Sequence, residues 1–266
     1  MLRSRVLTAL ALAMLLIGAI LYSPPQLTVA ILGLILVIGA WEWSAFLAVA
    51  ASWRLLYVLL LMVCGMAALR LLLDPPCFAG TMIVATVWWL LALLWVATAP
   101  QRVGRIPAAL AGLLALLPTW TALVHMDMHW SRGAQWTLFI LALSFAADTG
   151  AFFAGRQFGR LPLAPRVSPK KTWEGVMGGM LLALAVGAFG AVWFGQEPMR
   201  FVPLCLAAAA FSIVGDLTES MLKRHVRLKD SGRLFPGHGG VLDRIDSVTA
   251  ATPVMTLGLI WLGVGL

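Results

Sequence analysis

Ala79-Gly80-Thr81-Met82-Ile83-Val84-Ala85-Thr86-Val87-Trp88-Trp89-Leu90-Leu91-Ala92-Leu93-Leu94-Trp95-Val96-Ala97-Thr98-Ala99 contains no charged residue. A run of about 20 apolar residues is long enough to cross the roughly 30 Å hydrocarbon core of a bilayer as a helix. Eight further stretches of this kind surround it, at Val6 to Tyr22, Leu27 to Val49, Leu55 to Leu73, Ile106 to Val124, Gln135 to Gly155, Trp173 to Phe194, Phe201 to Leu222 and Val248 to Leu266. Composition agrees: 61% of the 266 residues are hydrophobic and 11% are charged, with a mean hydropathy of +0.94. So little polar surface cannot cover a water-soluble globule. The expected fold is therefore all-α: a polytopic integral membrane protein of nine transmembrane helices. A cleaved signal peptide is the alternative for the first stretch, behind Arg3 and Arg5. It is disfavoured because that run is longer than a signal core and no small-x-small site precedes Ser23.

Orientation follows from the basic residues, which concentrate on the cytoplasmic side. With the N-terminus inside, only Arg70, Arg132 and Arg200 of the 19 Lys and Arg fall in outer loops. Nine spans then put the C-terminus outside. Cys64, Cys77 and Cys205 are isolated, so neither a disulfide framework nor a zinc site is expected. No repeat divides the chain, and 1–266 reads as one membrane domain: helices one to five in 1–133, and catalytic helices six to nine in 134–266, with cytoplasmic loops 156–173 and 223–247. The 12 tryptophans read as interface anchors, so no nucleic-acid partner is expected.

The polar residues gather on the inner side. Asp148 lies about two turns before the end of the sixth span, where a carboxylate costs roughly 2.5–3.5 kcal/mol unless it faces water, a cation or the bundle interior. Next comes Ser168-Pro169-Lys170-Lys171-Thr172-Trp173-Glu174-Gly175. Ser168 suits an N-cap and Pro169 the first position of the seventh helix, which would set free N–H groups beside two lysines as an anion site. The alternative is a lysine pair touching lipid headgroups.

A second cluster runs from Gly215-Asp216 through Glu219-Ser220 and Lys223-Arg224 to Lys229-Asp230. If the eighth helix continues, Asp216, Ser220, Lys223 and Arg227 share one face. Pro236-Gly237-His238-Gly239-Gly240 then permits close backbone approach to a phosphate. Asp243-Arg244-Ile245-Asp246 places two carboxylates one helical turn apart, where with Asp216 they could bind Mg²⁺ through oxygen. His238 reads equally as an acid–base group or as a hydrogen-bond donor. His125 and His129 flank Asp127 across the membrane from this chemistry and read as interfacial. Glu42, between Trp41 and Trp43, reads as a solvated interface residue, with support of the site as the alternative.

These residues resemble the phosphatidate cytidylyltransferase family, the CDP-diglyceride synthases. The resemblance rests on Ser220, Lys223-Arg224, Lys229-Asp230, Gly232, Pro236, His238-Gly239-Gly240, Asp243-Arg244 and Asp246, joined by the Ser168 to Gly175 and Asp148 to Ala151 segments. Phe235 stands at an apolar position where Leu or Ile is commoner. The resemblance implies a bacterial inner-membrane enzyme, homodimeric, that uses Mg²⁺ with CTP and phosphatidate at the cytoplasmic side among membrane lipids. On that basis Asp216, Lys223, Arg224, Asp243 and Asp246 are expected to be catalytic, with Asp216, Asp243 and Asp246 on Mg²⁺ and a second cation allowed. Asp148, Ser168, Lys170, Lys171, Ser220, Lys229, Asp230, His238, Gly239, Gly240 and Arg244 are expected to line the substrate site. Rival readings are another membrane CTP-dependent enzyme, such as a polyprenol kinase or a cytidylyltransferase for a different lipid phosphate, and a transporter or anion channel; the D-G-x-x-A-R pattern of a CDP-alcohol phosphotransferase is absent, since Thr149 follows Asp148.

Overall fold

A computed structural model describes residues 14, 17–71, 74–234 and 239–265. The chain forms eight long helices: α1 (Pro25–Ser44), α2 (Ala51–Leu71), α3 (Pro75–Thr98), α4 (Arg105–His129), α5 (Gly133–Phe158), α6 (Trp173–Phe194), α7 (Pro198–His225) and α8 (Leu242–Trp261). They correspond in order to the second through ninth expected spans. The first span falls largely outside the described residues, of which 17–22 are helical. Seven helices, α1 to α7, are long and apolar enough to cross a membrane, which makes this an all-helical polytopic membrane protein. That is two fewer than the nine expected, since the first span is mostly not described and α8 is not among the seven.

Prolines open α1, α3 and α7, where a missing N–H costs nothing, and Asp74 adds a cap to α3 by accepting from the Cys77 N–H. Gly195, at φ +67°, ends α6 in the left-handed conformation that glycine adopts without strain.

Large apolar side chains such as Leu55, Leu59, Met66, Val84 and Leu94 are exposed on α2 and α3. In a bilayer that surface faces lipid, so burial of greasy side chains is not what holds the helices together; close packing and hydrogen bonds do that. The tightest packing joins α5 to α6. A Cβ on Gly150 would stand 2.9 Å from the Gly178 carbonyl carbon and 3.1 Å from Gly179 Cα. Small residues at both faces let the two backbones touch. In the N-terminal half, Trp43 donates to the Ala108 carbonyl at 2.8 Å and Tyr57 to that of Ala109 at 2.9 Å, tying α1 and α2 to α4.

The most enclosed element is α8, which packs against α1, α3, α4, α5 and α7. Its surroundings explain its composition, because Thr249, Thr252 and Thr256 are buried among protein and each has a hydrogen-bond partner. Pro253 has no N–H to offer the Thr249 carbonyl. That carbonyl instead accepts from Trp89 of α3 at 3.1 Å and Thr119 of α4 at 2.9 Å, so the break in the helix ladder becomes a three-helix junction.

Between α5 and α6 the chain turns back as a two-stranded antiparallel hairpin, β1 (Pro162–Ala164) and β2 (Ser168–Thr172). This corrects the expected helix start at Ser168-Pro169. Both residues lie in β2, and the cap is Thr172, whose hydroxyl accepts from the Gly175 N–H at 3.2 Å. Strand pairing with β1, in which Ala164 faces Ser168 and Pro162 faces Thr172, keeps Ser168 to Thr172 extended. Replacing Gly150 by Val should destabilise the protein by about 1–3 kcal/mol through overpacking. Thermal unfolding in detergent would show it as a lower midpoint, with Val at the lipid-facing position Ala97 as the control.

Candidate functional site

The ends of α5, α6, α7 and α8 enclose a cavity of about 560 Å³ beside the hairpin. Its apolar lining comes from Ala147, Ala151, Phe152, Val176, Met180, Ala209 and Ile213. Its polar part is drawn from four elements: Asp148 and Arg156 on α5, Lys170 and Lys171 on β2, Asp216 on α7, and Asp243, Arg244 and Asp246 on α8. Asp148, Lys170, Lys171, Asp216, Asp243, Arg244 and Asp246 are thus brought together as the sequence led us to expect.

Each described carboxylate here has an identifiable partner. Lys171 Nζ lies 2.5 Å from Asp216 Oδ2, and Ser220 donates to Asp216 Oδ1 at 3.3 Å. Ser247 donates to Asp148 at 2.8 Å, and Asp246 accepts from the Ser247 N–H at 2.8 Å. Lys223 bridges two acids, with Nζ 2.7 Å from Asp243 and 3.3 Å from Glu219. A cation held between carboxylates on neighbouring helices compensates their charge in the low-dielectric interior.

Asp243 does more than pair with Lys223. It accepts from the Gly240 N–H at 2.7 Å, and from the Ser231 N–H and hydroxyl, each at 2.9 Å. Partial burial alone would raise this carboxyl, but the Lys223 hydrogen bond and the backbone N–H groups of Gly240 and Ser231 outweigh it and hold the group below its usual range. Gly239, at φ +83°, makes the turn that delivers the Gly240 N–H.

Several expectations are revised. The stripe ending in Arg227 is broken because α7 stops at His225 and Arg227 turns left-handed at φ +59°. Lys223 lies outside the cavity lining, held in its ion pairs beneath the loop. Arg224 lines a separate cavity of about 190 Å³ with Arg166 and His225. Lys229 and Asp230 are exposed in the loop after α7, and Ser168 is half-buried in β2; none of the three lines the 560 Å³ cavity. His238 lies outside the described residues. His125 stacks between Phe78 and His129, with ring centroids 3.9 Å and 4.6 Å away, and neither histidine lines this cavity.

Two acids were missed or misread. Glu219 is buried at 1% exposure, and its signal was the i, i+4 spacing to Lys223. Glu42, read as a solvated interface residue, is 5% exposed and accepts from the Val241 and Leu242 N–H groups at 3.1 and 2.7 Å. A carboxylate inside a span-length apolar run requires such partners, which was the available clue.

Among the described residues no three His, Cys, Asp or Glu side chains are gathered tightly enough to form a ready metal cage. The donor chemistry nonetheless fits a hard divalent cation: Asp148, Asp216 and Asp246 present carboxylate oxygens to one cavity from three helices. Asp243 fits less well, since both its oxygens already hold Lys223 and the loop.

Fold and site define the class: a polytopic membrane protein with an amphipathic cavity whose basic lining residues suit phosphate-bearing ligands. The chain belongs to the cytidylyltransferase family, whose sequence profile matches residues 3–261. It is 39% identical to the phosphatidate cytidylyltransferase of Pseudomonas aeruginosa over 98% of this chain and 97% of that one. It is 37% identical to the Haemophilus influenzae phosphatidate cytidylyltransferase, covering 95% of this chain and 96% of the relative. The phosphatidate cytidylyltransferase of Brucella suis is 46% identical over 45% of each chain.

Because the folded Asp243 carboxyl lies below its unfolded value of about 3.9, its contribution to loop stability is complete above that pH. It is lost as pH falls through the lower folded value. The protection factors of amides in peptides covering 229–243, which account for the intrinsic slowing of exchange in acid, should therefore fall on acidification below pH ~3.9 in the wild type. Asp243→Asn should abolish that particular acid dependence.

Proposed function

We propose that this protein transfers the cytidylyl group of CTP to the phosphate of phosphatidate, producing CDP-diacylglycerol and pyrophosphate for phospholipid synthesis. The observation that carries this reading is the two-part lining of the cavity. Apolar lining residues suit the acyl chains or glycerol backbone of a lipid, and Lys170, Lys171, Arg156 and Arg244 in the same lining suit its phosphate and those of a nucleotide. Full-length similarity to two phosphatidate cytidylyltransferases supports the same substrates.

A phosphate monoester is largely ionised at neutral pH, so its oxygen can attack the α-phosphorus of CTP without an enzyme nucleophile. The new bond joins that oxygen to the α-phosphorus as the bond to the β-phosphate oxygen breaks and pyrophosphate leaves. The obstacle is repulsion between two anions, and fixed cations remove it. Lys170 and Lys171 on the hairpin and Arg244 on α8 hold phosphates within the cavity. Lys171 begins paired with Asp216, and substrate phosphate competes for it. Ser220 orients Asp216. Arg224 and Lys229 extend the positive surface along the path of the nucleotide, while Ser168, Asp230, His238, Gly239 and Gly240 shape its loops.

Mg²⁺ belongs to this reading, held by Asp216 and Asp246 with Asp148 beside them. When bound it would neutralise charge on the triphosphate and the leaving pyrophosphate. Asp243 keeps the loop in place. The basic residues favour nine crossings with the N-terminus in the cytoplasm and the C-terminus outside, an inner-membrane location and a cytoplasmic active site. A homodimer completes the proposal.

Purified protein in detergent, given radiolabelled CTP, Mg²⁺ and phosphatidate, should move label into the chloroform phase only when every component is present. No incorporation by folded protein, or transfer only to a different lipid phosphate from a substrate panel, would refute the assignment. Asp216→Asn should reduce kcat/KM roughly 100-fold while leaving thermal unfolding unchanged.

A further inference from the structure

We propose that Glu42, on α1 and remote in sequence from the polar cluster, is a positioning residue for this reaction: it fixes the turn from which Asp243 and Asp246 enter the cavity. The inference rests on the cytidylyltransferase reading and concerns a residue outside the cavity lining. At 5% exposure Glu42 is buried, yet both its oxygens are used. Oε1 accepts from the Val241 N–H at 3.1 Å and Oε2 from the Leu242 N–H at 2.7 Å, while the Ser231 hydroxyl, whose one proton is shared with Asp243 at 2.9 Å, lies 3.2 Å from Oε2.

Val241 and Leu242 open α8, whose start has no side-chain cap of its own. Glu42 therefore does from another helix what a capping side chain does locally: it satisfies orphan N–H groups and places negative charge at the positive end of the helix dipole. The loop is seated directly on it. A Cβ added to Gly232 or Gly240 would run into the Glu42 carboxylate, so the close approach requires glycine at both positions. Asp243 grips the same Ser231 and Gly240 from the other side. One carboxylate travels with α8; the other ties the assembly to α1. Loss of Glu42 removes the loop's tie to α1, leaving it held by α7 and α8, and small shifts of catalytic groups are costly.

The test compares wild type, E42Q and E42D as full-length protein in detergent, by cytidylyl transfer and by amide exchange. Glutamine keeps the size but turns an NH₂ toward a backbone N–H, whereas aspartate keeps the charge and falls one methylene short. E42Q should lose kcat by roughly 10- to 100-fold with little change in KM for either substrate. Faster exchange should be confined to peptides covering 229–243, and E42D should recover part of the lost kcat. A folded E42Q with wild-type kcat would overturn the proposal, as would loosened exchange throughout the bundle, which marks general destabilisation. Should E42Q fail to fold, the wild type decides: its Val241 and Leu242 amides must exchange as slowly as the interior of α8, and fast exchange there refutes the clamp. A folded but inactive wild type would instead sink the cytidylyltransferase reading, a separate result, because exchange reports on the clamp without activity.

Discussion

A charge inside a bundle of membrane-spanning helices has to meet an opposite charge or a set of backbone hydrogen bonds, because neither lipid nor packed protein can solvate it. That constraint arranges the catalytic half of this chain. Lys223 lies between Glu219 and Asp243, Lys171 against Asp216, and Asp148 under the Ser247 hydroxyl. Every one of these contacts joins parts of the chain that must be assembled for the pair to exist, apart from the single-turn Glu219–Lys223 pair. Charge pairing and tertiary structure are therefore the same event here. Breaking one side of the buried Lys223 pairs leaves a buried charge uncompensated, which is far more costly than losing the Lys171–Asp216 pair, whose side chains are 25% and 30% exposed.

The same constraint accounts for the position of α8. It is the most enclosed helix, and being surrounded by protein allows it to carry three buried threonines and a proline in its middle, with the freed Thr249 carbonyl bonded from two other helices. Those junctions hold the helix laterally. At its start, Glu42 and Asp243 hold the preceding loop. The acidic residues of α7 and α8 share the cavity with Lys170 and Lys171 of the hairpin, and Lys171 meets Asp216 across it. For an enzyme that must bring a soluble polyanion to a lipid phosphate, one cavity lined by both apolar and basic side chains matches the chemistry of the two substrates.

Much of this was readable in the residues. Hydropathy alone located eight of the helices, α6 with the same ends, Trp173 and Phe194, because the apolar requirement of a span is a property of each segment by itself. The polar cluster named seven of the residues that line the cavity, from Asp148 to Asp246, because acids and cations in otherwise apolar sequence have few uses beyond a site. The hairpin was not readable: Ser168-Pro169 has the local chemistry of a helix start, and only the pairing of β2 with β1 makes it a strand. Nor was the placement of Lys223 and Arg224, adjacent in sequence, one in buried ion pairs and the other lining a different cavity.

By itself, then, the sequence determined that this is a helical membrane protein, which inner loops carry its chemistry, and the family to which that chemistry belongs. Those properties are written in composition and in residues close together along the chain. Tertiary structure alone decided which carboxylates face the cavity and which serve as struts. Asp216 and Asp246 reach the cavity, Asp243 also secures a loop, and Glu42, distant in sequence and set among tryptophans, is the seat of that loop. The physical reason is that a carboxylate's role is set by the donors that fold against it, and in this protein those donors arrive from other helices.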